Sequence, residues 1–357
     1  MIVSMKCTRR EALRLAAAGA AWPLVGAQDP PARTGLGIAA FTYRHRMELD
    51  RARRAAEPLS DPVHFLEHAR RAGAGGIQTD LGKLDAERAA ELRRRAEKHG
   101  LWVEGSTGLP RTKEDVDRFD REMKATREAG ARLVRTVLLG GRRYETFDRA
   151  EQFEQFTERS RASLLLAEPV VARHGLKVAF ENHKDFRVPE LLDFLKRIGS
   201  EHVGVCVDFG NNFSLLEDNH AVVEALAPVS LAAHVKDMAV GEYEDGFLLA
   251  DVVLGEGLHD LRPMVEALRK ANPALRFSLE MCARDPLRVP CFTEKYWATL
   301  KGVPGSELAA AVRTVRSHKL PREKLPKVDD LPLEERVRIE EENVGRCLAY
   351  AREKLRL

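Results

Sequence analysis

The chain has 357 residues, with 58 Lys+Arg against 55 Asp+Glu for a formal charge of +3, and is 44% hydrophobic and 32% charged. That balance excludes a disordered chain, which lacks the apolar material for a core, and five cysteines are too dilute for a disulfide-built miniprotein. The length allows one large domain or two of ordinary size, and the basic excess bears on a nucleic-acid partner only if it sits on the folded body.

The excess sits in the first 27 residues. Arg9-Arg10 and Arg14 precede a small and apolar run from Leu15 to Ala21, and Val25-Gly26-Ala27 offers a small-x-small cleavage site. A charged start, a short apolar run and such a site predict a secretory signal. The arginine pair ahead of a weakly hydrophobic, alanine-rich stretch resembles a twin-arginine export signal. The run is shorter than the roughly 20 residues that span a bilayer. The expectation is a periplasmic or otherwise exported protein with no stable membrane insertion after cleavage. Removing residues 1–27 takes four bases (Lys6, Arg9, Arg10, Arg14) and one acid (Glu11) from the totals of 58 and 55, which leaves 54 of each. No basic block remains to follow a phosphate backbone, so nucleic acid is not expected as a partner.

Beyond the signal, short apolar runs alternate with helical patterns. Residues 36–41 predict a first buried strand. Residues 62–72 show helical spacing behind an N-cap at Ser60 or Asp61. A second strand at 76–79 is followed by a charged-faced helix at 86–99 closed by Gly100. A third strand at 101–105 is followed by a helix at 112–129 closed by Gly130. The rhythm continues with strand four at 133–138, a helix at 149–174, strand five at 177–181 and a helix at 189–198. Strand six at 203–208, a helix at 215–226, strand seven at 231–235, a helix at 261–270 and strand eight at 276–280 complete the series. Helical sequence returns at 306–317 and 333–354.

Near-continuous apolar strands are buried on both faces, as in parallel sheets. Eight strand–helix units in a row predict an α/β fold, a single-domain (β/α)8 TIM barrel. A doubly wound dinucleotide fold is the rival, but no Gly-x-Gly-x-x-Gly follows the first strand. The barrel is assigned to residues 34–318, and residues 319–357 to a connector and a C-terminal helix packed on it. The segment 284–304 carries Pro286, Pro290 and Pro304 around Phe292, Tyr296 and Trp297. It follows the last strand and is read as a lid loop, with Tyr296 and Trp297 as candidates for stacking on a sugar.

Functional groups of such barrels sit at the C-terminal ends of the strands. Strand five ends in Glu181-Asn182-His183, strand six in Asp208-Phe209-Gly210-Asn211-Asn212, strand seven in His234-Val235-Lys236-Asp237 and strand eight in Glu280. Four consecutive strands thus bring Glu181, Asp208, His234 and Glu280 to one rim. Singly, each has a plainer reading as a cap, an ion-pair partner or a satisfied core histidine. Together they matter, because three converging carboxylates repel one another without a cation. Carboxylates with one imidazole suit a single divalent ion, Mn2+, Co2+, Mg2+ or Zn2+. Cys206 and Cys282 read as packing residues, while any pairing among the four cysteines beyond the signal is left open.

The segments 178–183, 204–208, 233–237 and 278–280 resemble the xylose-isomerase-like TIM-barrel superfamily, and within it the sugar phosphate isomerase/epimerase group. The resemblance spans about residues 36–300. It implies that Glu181, Asp208, His234 and Glu280 hold the metal and that Glu181 and Glu280 form an acid–base pair on a small sugar or keto-sugar. The chemistry so implied is removal of a proton alpha to a metal-polarised carbonyl. Return of that proton to the other face gives an epimerase, and return to the neighbouring carbon gives an isomerase. Loss of a β-leaving group gives a dehydratase or glycoside lyase. Ketose 3-epimerases of the group carry a His where this chain has Asn211, which is kept as a candidate for binding substrate, and an Arg shortly after the metal-binding His that 236–240 lacks. His183 and Lys236 resemble the inosose-dehydratase and keto-glycoside-lyase side instead. That implies His183 for protonating a leaving oxygen and Lys236 for binding a substrate oxygen. The expected activity is a divalent-metal-dependent isomerase or epimerase. A lyase or dehydratase is the alternative, a non-catalytic sugar-binding protein the third reading, and a homo-oligomer is left open. The phosphodiester hydrolysis of the related apurinic endonucleases is disfavoured, since it needs further His ligands and a basic groove.

Overall fold

A computed structural model describes residues 32–357; the expected export signal lies outside the described residues. The first half of the chain runs through β1 (Gly37–Ala39), α1 (Arg44–Arg53), α2 (Pro62–Ala72), β2 (Gly76–Thr79), α3 (Ala86–His99), β3 (Trp102–Ser106), α4 (Val116–Glu128), β4 (Leu133–Thr136), a short α5 (Arg143–Thr146) and α6 (Ala150–Arg173). There follow β5 (Lys177–Glu181), α7 (Val188–Ile198), β6 (Val203–Asp208), α8 (Asn219–Leu226), β7 (Ser230–Val235), β8 (Asp237–Tyr243) and β9 (Gly246–Val252). The chain ends with α9 (Leu261–Ala271), β10 (Phe277–Leu279), β11 (Leu287–Val289), α10 (Glu294–Trp297), α11 (Gly305–His318) and α12 (Leu333–Tyr350).

Eight parallel strands close in the order β1-β10-β7-β6-β5-β4-β3-β2, so the predicted (β/α)8 barrel is the fold. All six residues of β6 are buried, as expected for a strand covered on both faces. The outer helices bury one stripe each. In α9 that stripe is Leu261, Met264, Val265 and Leu268, spaced three and four apart. Each such side chain contributes about 1.5–3 kcal/mol relative to exposure. Asp61, Asp85 and Asp218 accept backbone N–H groups at the starts of α2, α3 and α8. At the N-terminal end of the barrel the Trp102 indole lies across the neighbouring strands. A Cβ at Gly76 would stand 2.2 Å from that ring, so the position requires glycine.

Three features depart from the expected pattern. Helix α1 follows β1 through a turn of 3-10 helix at Ala40–Tyr43. Between β7 and α9 the chain makes the antiparallel hairpin β8–β9. Its two-residue loop, Glu244-Asp245, leads into Gly246 at φ +155°. The segment 284–304 is not a free lid: β11 pairs with β9 to complete a three-stranded sheet, and α10 packs inward through Tyr296.

Helix α12 docks on α1. The Glu340 carboxylate accepts the backbone N–H groups of His45 and Arg46 at 2.9 Å each. At the chain end, the Leu357 carbonyl accepts the Thr34 hydroxyl at 2.6 Å. Cys206, Cys282, Cys291 and Cys347 are all buried and free. Among the described residues no helix is long and apolar enough to cross a membrane.

Candidate metal centre

The four expected ligands converge. One ligand atom from each of Glu181, Asp208, His234 and Glu280 lies within 4.8 Å of the others, and all four residues are buried. Local bonding aims each one. Asn182 ties β5 to β6: its amide accepts the Asp208 N–H at 2.6 Å and donates to the Asp208 carbonyl at 2.9 Å. Oδ1 of Asp208 accepts the N–H groups of Gly210 and Asn211, both at 2.9 Å. Oδ2 points into the buried centre, 2.8 Å from the Lys236 amine. The Asn211 amide donates to Glu181 Oε1 at 2.9 Å.

His234 shows that the donor set fits a cation. Its Nε2 lies 2.7 Å from Gln78 Oε1, and the Gln78 amide nitrogen donates to Glu104 Oε2 at 3.2 Å. With the amide so oriented, Nε2 carries a hydrogen and Nδ1 is left to offer its lone pair to a proton or a metal ion; burial opposes a charged imidazole, but the facing carboxylates outweigh it and raise the His234 pKa. That lone pair faces Glu181 Oε2 at 3.3 Å and Glu280 Oε2 at 3.5 Å and has no hydrogen-bond partner. A lone pair aimed at carboxylates in a buried site is the arrangement a divalent cation satisfies.

Two cations that the sequence reading did not single out for the centre, or placed only at its rim, close the ring. The Arg135 guanidinium donates through Nε to Glu181 Oε2 at 2.7 Å and reaches Glu280 Oε1 at 3.5 Å. Burial raises the Glu181 pKa, but Arg135 overrides it and holds this carboxylate well below its usual range. Lys236 is buried, with Nζ 2.8 Å from Asp208 Oδ2, 3.1 Å from Glu280 Oε2 and 3.9 Å from Asp251 Oδ1. Burial favours its neutral form, and these carboxylates outweigh it, so the amine stays charged far up the pH scale.

A cavity of about 680 Å³ opens above the centre, at the C-terminal ends of the strands. Glu280, His183 and Lys236 line it; Glu181, Asp208 and His234 lie behind its wall. His183 Nδ1 bonds the Leu139 carbonyl at 2.9 Å and so carries the hydrogen, which leaves Nε2 as an acceptor. Burial, reinforced by the charge of Lys184, lowers the His183 pKa to about 4. That corrects its expected role as a proton donor: the imidazole is neutral near pH 7 and its free nitrogen accepts.

Tyr296 and Trp297 do not line the cavity, which corrects their expected role in stacking. Tyr296 is fully buried against Tyr144, ring centroids 5.3 Å apart, and its hydroxyl donates to the Ser214 carbonyl at 2.8 Å. The half-buried Trp297 donates from its indole N–H to the Cys291 carbonyl at 2.9 Å. Asn211 also lies off the cavity, where it orients Glu181.

A parallel barrel with a carboxylate–histidine centre at its C-terminal rim defines a class of metal-site TIM barrels. The chain belongs to the xylose isomerase-like TIM barrel family, whose model matches residues 66–301. It is 28% identical over 226 residues to the 3-oxo-isoapionate decarboxylase of Pectobacterium atrosepticum, which covers 60% of this chain and 77% of the relative. Its fold is like that of a D-psicose 3-epimerase in the presence of D-fructose, with a TM-score of 0.55, 15% identity, and 89% and 98% of the two chains covered. A xylose isomerase-like TIM barrel protein from Mycobacterium smegmatis in complex with magnesium has a TM-score of 0.51 at 18% identity, covering 78% and 98%. The relatives named by activity are enzymes, and the likeness to the two solved structures is one of fold.

Proposed function

We propose that the protein is a divalent-metal-dependent enzyme that moves a proton at the carbon alpha to the carbonyl of a keto-sugar, with isomerisation as the outcome. The observation that carries this is Glu280. It belongs to the ligand set and also lines the cavity, with a buried lysine amine 3.1 Å from its carboxylate.

A divalent metal at this centre supplies Lewis acidity toward a substrate carbonyl and its neighbouring hydroxyl. Glu280 faces the substrate as base. Lys236 and Arg135 keep it ionised before it takes the proton. His183 accepts a hydrogen bond from a substrate hydroxyl through Nε2. The same Glu280 returns the proton to the adjacent carbon, while the proton of the neighbouring hydroxyl passes to the former carbonyl oxygen, so that carbonyl and hydroxyl change places. Epimerisation needs a second acid on the opposite face of that carbon. Glu181, the expected partner, is fully buried, with Oε1 taken by Asn211 and Oε2 by Arg135. This favours the one-base isomerase over the two-base epimerase.

A lyase is the second reading. The 28% identical relative is a decarboxylase, and Lys236 beside Glu280 would stand ready to return a proton to the carbon that CO2 leaves. Incubating Mn2+-loaded protein with ketoses in D2O separates the two. Deuterium on the carbon next to the carbonyl, lost in Glu280→Gln, supports the isomerase. Release of a fragment without exchange selects the lyase. Neither exchange nor turnover by protein shown to hold metal sinks both and leaves a sugar-binding role.

A further inference from the structure

The body of the chain beyond residue 27 has no net charge, yet its cavity is basic. Among the described residues that line it, Arg44, Arg51, Arg135, Arg142, Lys184, Lys236 and Arg284 stand with Glu280 as the single carboxylate. The innermost charges form one network. Arg135 pairs with Glu181 and Glu280, Lys236 with Asp208, Glu280 and Asp251, and Arg284 with Asp251 at 3.0 Å. Lys184 stands apart. It is 4% exposed, lines the cavity, and has no carboxylate within salt-bridge distance among the described residues. Its amine donates only to the Asn211 amide oxygen. Its backbone is held at φ +82°, a conformation that is unfavourable for a residue with a Cβ.

Counted with Lys184, the network has four cations and four carboxylates, and a metal ion held on Nδ1 of His234 leaves that imidazole uncharged. A divalent metal therefore leaves the filled centre with a surplus of two positive charges. Transfer of the alpha proton from the substrate to Glu280 leaves the total charge of the filled site unchanged, so that surplus stands throughout the reaction. The surplus has room for a negative charge brought by the substrate, and the buried lysine without an acid partner marks where it belongs.

Resting on the keto-sugar reading above, we infer that the substrate carries a carboxylate, a keto-sugar acid rather than a neutral ketose, and that Lys184 with Arg284 is the anchor for that carboxylate. A single lysine without an acid partner calls for one negative charge, and a ketose phosphate is the rival anion that the titration below separates. Arg284 is positioned for the role by Asp251, which the β8–β9 hairpin delivers to the cavity wall.

The test uses full-length Mn2+-loaded protein and calorimetric titration with five- and six-carbon 2- and 3-keto-aldonates, each against its neutral ketose and the matching ketose phosphate. At least one acid should bind about tenfold or more tightly than its ketose, the worth of one buried charge-assisted hydrogen bond. Lys184→Met should erase that preference and Lys184→Arg keep it, with Mn2+ affinity and melting profile showing that both variants are folded and loaded. The inference is overturned if no acid in the set outbinds its ketose, if a ketose phosphate binds tightest, or if Lys184→Met keeps the preference. Deuterium exchange into a neutral ketose with no preference for acids would overturn the anchor and leave the keto-sugar reading standing. Failure to bind Mn2+ would overturn the reading itself.

Discussion

Nε2 of His234 lies 2.7 Å from Oε1 of Gln78, and that bond decides which nitrogen of the imidazole faces the carboxylates. Gln78 sits on β2, across the barrel from the ligand-bearing strands, and touches none of the other three ligands by hydrogen bond. Gln78→Leu should lower Mn2+ affinity about 10- to 100-fold, the usual worth of a partner that orients a metal-binding histidine. Titration calorimetry on the folded variant checks this. Unchanged affinity would mean that the tautomer is set by something else.

Three carboxylates in a buried centre should make the protein's stability depend on the proposed ion. Chelator-treated protein should melt lower than Mn2+-loaded protein, with the difference growing with free metal as a ligand that binds only the native state requires. At a concentration of about 100 times Kd that stabilisation is about 2.7 kcal/mol. His234→Ala should remove the metal dependence of the melting temperature. Persistence of the full shift in this variant would place the ion elsewhere.

Lys184 carries a stability cost. Burial, followed by the charges of Lys236 and Arg284, lowers its pKa to about 8 against the attraction of Asp208 and Asp251. The unfolded amine titrates near 10.5. Between those values the unfolded chain binds more protons, so this residue makes stability rise with pH across that window. Below it, Lys184→Met should be the more stable protein by up to about 3 kcal/mol. The gap should close as the pH climbs from about 8 toward 10.5. Urea unfolding of the two proteins along that range gives the difference directly, and a constant gap would contradict the assignment.

Tyr296 tests the corrected view of the segment after β10. Tyr296→Phe loses one buried hydrogen bond, to the Ser214 carbonyl, and should cost about 1 kcal/mol in stability while leaving saturation kinetics on the eventual substrate unchanged. A raised KM would restore the tyrosine to the sugar.

Glu340→Ala strips two backbone N–H groups at the start of α1 of their acceptor. Loss of such a cap costs about 0.5–2 kcal/mol, measurable as a lower unfolding midpoint. Because Arg44 and Met47 of α1 line the cavity, substrate affinity should weaken as well, with Mn2+ affinity unchanged.

The barrel and its four-ligand rim were legible because both repeat. Eight apolar runs keep the period of one strand–helix unit, and Glu181, Asp208, His234 and Glu280 fall at equivalent strand ends. The hairpin breaks that period, and a reading paced by alternating units passes over it. Asp245-Gly246 between two apolar runs is nonetheless a turn signal of the usual hairpin kind. Asp251 was hidden with the hairpin, and with it the reason Arg284 stays at the cavity wall. Arg135 left a local sign, a lone arginine inside an otherwise apolar parallel strand. Gln78 and Lys184 left none, since one acts across the barrel and the other through the absence of an acid partner. Tyr296 and Trp297 had the composition of a sugar platform, but pairing of β11 with β9 turns their side chains away from the cavity. The neutral body concealed the basic cavity because a sum over the chain carries no position.

The contact between Glu340 and the start of α1 also sets an order of events during synthesis. A ribosome that has delivered the eighth stave, β10, has made every expected metal ligand, yet α12 is still to come. The cavity wall carried by α1 lacks its fastening until the last turns of the chain emerge. The mouth above the centre therefore takes its shape last, and a chain cut short ahead of residue 333 would lose that fastening together with the core side chains Val344, Cys347 and Leu348.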